Sequence, residues 1–278
     1  MKIVVLGSSG MLGNSIYKNL SESAHSVFGL QRSPSSKKNI LSGLDVSNLD
    51  ELELTIKDLS PDLVINCIGV IKQVDGVEDV VNTISINSQL PHQLAEICDK
   101  VQSKLIHFST DCIFDGTIGN YTDDYPVTAK DTYGLSKYLG EVKDKQHVLT
   151  IRTSIIGHGI YPNNSLVDWF LRQQNKIVGF SEAYFSGLPC CEISDILENH
   201  IIGSELFGLY NLSADRISKF DLLNLVKEEY ELDIEIVPSD NFRIDRSLDS
   251  SKFRETTGFL VKPWKQLIKE MKNRDFNR

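Results

Sequence analysis

Apolar residues in the first half of the chain gather in short runs, unbroken at 3–6 and interrupted by a few polar positions at 26–30, 61–67, 104–108 and 148–152. A run apolar at successive positions suits a strand buried on both faces of a parallel sheet. Between the runs the spacing turns helical. Leu12, Ile16 and Leu20 share one face. A helix is predicted over 49–59, with Ser47 or Asn48 as its cap. Another is predicted over 82–101, where Ile86, Leu90, Leu94 and Ile97 align and Pro91 is accommodated by a kink. Strands alternating with helices predict an α/β fold with a doubly wound parallel sheet.

The regularity fades after Gly157. Residues 161–164 read as a loop and 166–174 as a helix. A further helix opens at 193–196 with Ser194 or Asp195 as cap, 207–212 reads as a strand, and 219–230 as an amphipathic helix. This predicts a large domain over 1–157 and a smaller mixed α/β domain over 158–278, with a segment near 189–204 that returns to the first.

The first apolar run leads into Gly7-Ser8-Ser9-Gly10-Met11-Leu12-Gly13. Strand, glycine turn and helix together present backbone N–H groups and a helix N-terminus to a pyrophosphate. Gly7 permits the tight turn, Gly10 close backbone approach, and Gly13 close helix packing. The bland alternative is a glycine-rich turn that binds nothing. The second run ends in Gln31-Arg32-Ser33, with Lys37 and Lys38 close behind and no acid at the strand end. An acid there would bind an adenosine 2′-hydroxyl, whereas arginine accommodates a 2′-phosphate. Arg32 and Ser33 therefore favour NADP, with NADPH preferred over NADH. The two lysines read equally well as a solvated loop.

The chain has 278 residues, 41% of them hydrophobic, and a formal net charge of -9. The acidic balance disfavours a nucleic-acid partner. No apolar stretch is long enough to span a membrane, and a strand starting at Ile3 leaves no room for a signal peptide. Cys67, Cys98, Cys112, Cys190 and Cys191 contain no C-x-x-C pair. Reduced thiols in the cytoplasm are expected, and no metal site.

Tyr133 and Lys137 are four residues apart, one helical turn. An ammonium beside a phenol would lower its pKa and tune it as a proton donor. Tyr and Lys at this spacing are also common on plain helix surfaces. Here they follow a dinucleotide turn and a run ending in Ser109-Thr110-Asp111.

Taken together these segments resemble the extended short-chain dehydrogenase/reductases, and within them the dTDP-4-dehydrorhamnose reductases and related nucleotide-sugar 4-keto reductases. The matching stretches are 7–13, 44–46, 66–69, 109–116, 132–141 and 151–154. The resemblance implies a Rossmann sheet with a smaller substrate-binding domain, and a nucleotide-sugar substrate. The oligomeric state stays open, a homodimer being the state considered. It further implies that Gly10, Met11 and Leu12 line the pyrophosphate, that Asp45 and Val46 flank the adenine, and that Cys67, Ile68 and Gly69 follow the adenosine ribose. Tyr133 would be the general acid. Lys137 would also bond the nicotinamide ribose, and Thr110, followed by Asp111, would hold the substrate carbonyl. Arg243 opens a stretch similar to the family's R-P-x-x-S-x-L-D pattern and would meet the substrate diphosphate.

Two stretches depart from the rhamnose reductases. Ile155-Ile156 stands where they carry a tryptophan, and Gly69-Val70-Ile71-Lys72 replaces an alanine-rich version. Both point to a UDP-linked 2-acetamido-4-keto-6-deoxyhexose, with Lys72 as an added substrate contact. The activity implied is an NADPH-dependent 4-keto reduction serving cell-surface polysaccharide synthesis. The alternatives are a non-catalytic NADP-binding regulatory subunit of the same fold, or a sugar-nucleotide epimerase or dehydratase. Dehydratases carry a Thr-Asp-Glu run where this chain has Cys112 in third place.

Overall fold

Strand β1 (Lys2–Leu6) is an interior strand of the sheet, and Ile3, Val4, Val5 and Leu6 are fully buried. The computed structural model describes residues 1–71, 79–159 and 165–276. On one side of β1 lie β2 (Ser26–Gln31) and β3 (Ile40–Ser42), and on the other β4 (Leu63–Asn66), β5 (Lys104–Thr110), β6 (Val148–Thr153) and an outer strand at Gly208–Asn211. All seven run parallel. Strand order therefore reverses between β1 and β4, and a crevice opens beyond their carboxyl ends, the usual place for a ligand in such sheets.

Helices α1 (Met11–Ser21) and α2 (Leu49–Leu59) follow their sequence patterns. Asn48 caps α2, accepting from the Glu51 N–H at 3.3 Å. The helix expected over 82–101 is in three pieces. These are α3 (Val80–Ile84), a π-helical turn (Ser85–Gln89) and α4 (Leu90–Lys100). Pro91 falls in the first turn of α4, where a missing N–H costs nothing. The π-turn swings Asn87 inward, a departure that periodicity cannot show. Helix α5 (Thr132–Leu139) is capped by Asp131, which accepts from the Gly134 N–H at 2.9 Å.

The later chain returns to the main sheet with one strand and forms three small sheets beside it. Strand β7 (Ile155–Ile156), helix α6 (Leu166–Leu171), β8 (Asn175–Phe180), β9 (Ala183–Phe185) and β10 (Leu188–Pro189) come first. Next, α7 (Cys190–Ile196) packs on α1, and Ser15 and Ser194 hydroxyls meet at 3.3 Å. It begins directly after Pro189, four residues before the expected cap, and Ser194 donates to the Cys190 carbonyl instead. β11 (Gly208–Asn211) is the seventh strand, paired with β6. Helix α6 ends at Leu171, and β8 pairs in parallel with β13 (Ile234–Ser239), after β12 (Ile217–Ser218) and α8 (Lys219–Glu229). Strand β9 lies between β12 and β14 (Ile244–Asp245). Helices α9 (Ser251–Thr257) and α10 (Trp264–Met271) follow, and a π-helical turn (Lys272–Phe276) extends α10. Ile155 is half-buried against the main core and Ile156 is 3% exposed within it. Both therefore serve packing, and neither is free to stand in for an aromatic surface. The expected loop at 161–164 lies outside the described residues. Among those residues no helix is long and apolar enough to cross a membrane.

Candidate active site

The turn after β1 is built by glycine. Gly7 takes φ +80°, and a Cβ on Gly13 would lie 2.2 Å from the Gly7 carbonyl oxygen, so only glycine lets α1 approach so closely. No side chain caps α1, which leaves its first-turn N–H groups directed at the crevice. That crevice is a cleft of 640 Å³. It is lined in sequence by Gly7 and Gly10, by Arg32 and Ser33, by Asp45 and Val46, by Cys67, Ile68 and Gly69, and by Tyr133. Met11, Leu12 and Gly13 are not among the residues that line it, and Leu12 is buried in the core. A dinucleotide fits this channel: an uncapped helix start for phosphates, a cation at one end and polar chemistry at the other.

Arg32 does not stand alone. Its guanidinium, together with bonds from the Ser47 N–H and hydroxyl at 3.0 and 2.8 Å, bears on Asp45, whose carboxyl is held below the usual range mainly by the Ser47 bonds. An acid thus lies within electrostatic reach of the arginine, contributed by the loop after β3 rather than by the end of β2. Gln31 occupies the β2 end itself and is bonded to Ser8 at 3.0 Å.

At the other end of the cleft, α5 lies against the turn after β5. A Cβ on Gly134 would sit 2.4 Å from the Cys112 carbonyl oxygen, so glycine permits this contact too. Thr110 is buried, accepts from the Cys112 N–H at 3.1 Å, and is hydrogen-bonded to the Tyr133 hydroxyl. Burial raises the Tyr133 pKa well above that of an ordinary phenol, and the nearby Cys112, Asp111 and Asp131 push the same way. This corrects the expectation that Lys137 would lower it. The Lys137 ammonium instead donates to the Phe108 carbonyl at 2.6 Å, and burial lowers its pKa to about 8, against the pull of Glu141 and Cys67. The phenol is accordingly held in its protonated form, the form a proton donor needs.

Asn87 ties the parts together. Its side chain accepts from the Val70 N–H at 2.9 Å and donates to the Val70 carbonyl at 3.0 Å and to Ser136 at 3.1 Å. The π-turn thereby locks the 69–70 loop to the Tyr–Lys helix. The sequence signal for it, a lone buried Asn in an apolar helical pattern, was too weak to single out.

The substrate side differs from the sequence-based expectation. Arg243 lies at the surface, its side chain 80% exposed and paired with Glu182 at 3.4 Å. Arg246, three residues on, turns inward. Its Nε donates to the Phe114 carbonyl at 2.8 Å, its Nη1 lies 3.6 Å from the Cys112 sulfur, and it lines a second pocket with Asp115, Lys130 and Asp131. Asp111 is buried, and burial raises its pKa against the pull of Arg246 and Lys219. Lys72 lies outside the described residues. All five cysteines are free thiols. Glu192, Asp195 and Glu270 converge within 4.8 Å, but Lys262 bonds Glu192 and Glu270 at 2.6 and 2.8 Å, and Arg274 bonds Asp195 at 2.6 Å.

Comparison with known proteins agrees with this architecture. The chain is 33% identical over 163 residues to a probable low-salt glycan biosynthesis reductase of Haloferax volcanii, covering 56% of this chain and 54% of that protein. It is 25% identical to a dTDP-4-dehydrorhamnose reductase of Aggregatibacter actinomycetemcomitans over 98% of both. The chain spans 54%, 47% and 43% of the lengths of three curated relatives, the Haloferax protein among them. A crystal structure of a hypothetical dTDP-4-dehydrorhamnose reductase from Sulfolobus tokodaii superposes with a TM-score of 0.80 at 27% identity, covering 95% of this chain and 98% of that one. The family model described as the RmlD substrate binding domain matches residues 1–179. With well over half its length matched, the chain belongs to that family.

Proposed function

We propose that this protein is an NADPH-dependent reductase of a nucleotide-linked 4-keto-6-deoxy sugar, working in a reducing compartment, the cytoplasm, for surface-glycan synthesis. The observation that carries this reading is the Tyr133 phenol, hydrogen-bonded to Thr110, at one end of the dinucleotide-sized cleft. NADPH, when bound, supplies a hydride to the ketone carbon. Tyr133 gives its proton to the ketone oxygen, and Thr110 holds that oxygen by hydrogen bond. A raised phenol pKa does not prevent this, because the alkoxide left by hydride arrival is more basic than a phenolate. Lys137 fixes the Tyr133 helix to β5 through the Phe108 carbonyl and offers its remaining donors to the nicotinamide ribose. Arg32 and Ser33 meet the 2′-phosphate. Arg246, rather than the outward Arg243, meets the substrate diphosphate, for which a guanidinium fork is suited.

The test is NADPH oxidation with dTDP-4-keto-rhamnose and, separately, with a UDP-2-acetamido-4-keto-6-deoxyhexose. Oxidation of NADPH with a 4-hydroxy product is expected from at least one. A higher kcat/KM for the UDP-linked sugar supports the acetamido reading, and a higher value for the dTDP-linked one makes the chain a rhamnose reductase. No oxidation with either overturns the proposal.

A further inference from the structure

Helix α8 starts with a residue that ordinary stability would not choose. Lys219 is its first residue, directly after the Ser218 cap. A cation there faces the positive end of the helix dipole. Among the described residues its ammonium makes no hydrogen bond or close ion pair. It lies 4.0 Å over the ring centre of Phe185, itself buried. Burial lowers its pKa to about 8, against the pull of Asp111 and Cys112. A partly buried cation without a hydrogen-bond acceptor is costly to fold around, and such groups concentrate where a ligand completes them.

Its neighbours say which ligand. Asp111 and Cys112 act electrostatically on both the Tyr133 phenol and the Lys219 ammonium. The turn after β5 is thus near both groups, and Arg246 lies 3.6 Å from the Cys112 sulfur.

We propose that Lys219 is a substrate-contact residue that donates a hydrogen bond to an oxygen substituent on the sugar ring, beside the carbonyl held by Thr110 and Tyr133, and so helps set which sugar is accepted. This rests on the reductase reading above. The ring would lie across the 110–112 turn, with its ketone toward Tyr133 and a neighbouring oxygen toward Lys219. The ammonium would exchange the Phe185 ring face for a true acceptor. A sugar lacking that oxygen would leave the buried ammonium unpaired and would be rejected.

The experiment compares wild type, Lys219→Met and Lys219→Arg, each loaded with NADP⁺ and titrated calorimetrically with dTDP-rhamnose and with a UDP-2-acetamido-6-deoxyhexose. Cofactor affinity and melting temperature are measured alongside. The expected result is sugar-nucleotide binding weaker by about 10-fold or more in Lys219→Met, partial rescue in Lys219→Arg, and cofactor affinity within about twofold of wild type. In turnover, the Met variant should raise KM for the sugar nucleotide and leave KM for NADPH alone. Sugar binding unchanged in the Met variant, or cofactor and sugar binding weakened alike, overturns the role of Lys219 while leaving the reductase reading intact. Wild type that binds neither sugar nucleotide overturns the reductase reading and this inference with it. Wild type that binds but does not turn over, with Lys219→Met binding more weakly, overturns catalysis alone.

Discussion

Replacing Lys137 by Met should make the protein more stable at neutral pH while impairing it as an enzyme. Burial moves the Lys137 pKa from 10.5 to about 8. That displacement corresponds to about 3 kcal/mol by which the fold disfavours the charged side chain. Met has similar length and no charge, so it escapes that cost. It also leaves the Phe108 carbonyl without its 2.6 Å donor, which costs about 1 kcal/mol. The net expectation at pH 7 is a gain of about 2 kcal/mol. The sign with pH follows from proton counting. Between about pH 8 and 10.5 the unfolded chain keeps the lysine proton and the folded chain has lost it, so wild-type stability rises with pH across that window. Below pH 8 the full cost is present. The advantage of the variant should therefore shrink from pH 8 upward and reverse to about 1 kcal/mol in favour of wild type above pH 10.5. Lys219 titrates in the same range, but it is common to both proteins and cancels in the difference. The assay is urea denaturation of both proteins at intervals from pH 7 to 10.5, with NADPH affinity in parallel. A variant less stable than wild type at pH 7, or a difference that does not change with pH, would refute the burial argument.

Two further substitutions probe the cleft. Tyr133→Phe should keep NADPH affinity within about twofold and lose about 10²-fold or more in kcat, the usual size of a general-acid contribution; turnover near that of wild type would show that the proton comes from another group. Arg32→Asp should narrow or reverse the preference for NADPH over NADH, the more so because Asp45 already places one carboxylate beside it; wild type favouring NADH by about tenfold, or 1.4 kcal/mol, would sink the assignment of Arg32 to the 2′-phosphate.

The parallel sheet was legible because its strands are buried on both faces. An unbroken run such as Ile3 to Leu6 has few other places to go in a folded chain. The predicted cap Asn48 was legible for a similar reason, since its partner Glu51 lies three residues away. Features set by distant contacts were not. The π-turn at Ser85–Gln89 faces Val70 and Ser136, and nothing in the local spacing reports those bonds. The parallel pairing of β8 with β13 joins segments that are polar or half-exposed at several positions, so no apolar run marked them. The early start of α7 was hidden because Pro189 serves as its cap without any side-chain bond.

The same distinction runs through the site, and it explains its electrostatics. Tyr133, Lys137 and the Thr110 turn were legible as a motif, but how each titrates depends on what surrounds it. The chain carries a formal net charge of -9, yet Lys137, Lys219 and Arg246 all approach one turn at the end of β5. Behind them Arg152, 2% exposed, is held by Glu141 at 2.7 and 2.8 Å, and Ser109 adds a bond to the same carboxylate at 2.8 Å. That pair is satisfied internally and needs no ligand. Lys219 and Arg246 are only partly satisfied, by a ring face, a carbonyl and a sulfur. A nucleotide sugar carries two phosphate charges, and its ketone gains a third site of negative charge as it is reduced. Partly paired cations at low dielectric favour that arrangement strongly, and they were assembled from positions far apart in the chain. Sequence spacing could name the proton donor, but only the fold shows that acidic groups press on the phenol itself while Lys219 and Arg246 approach the neighbouring turn.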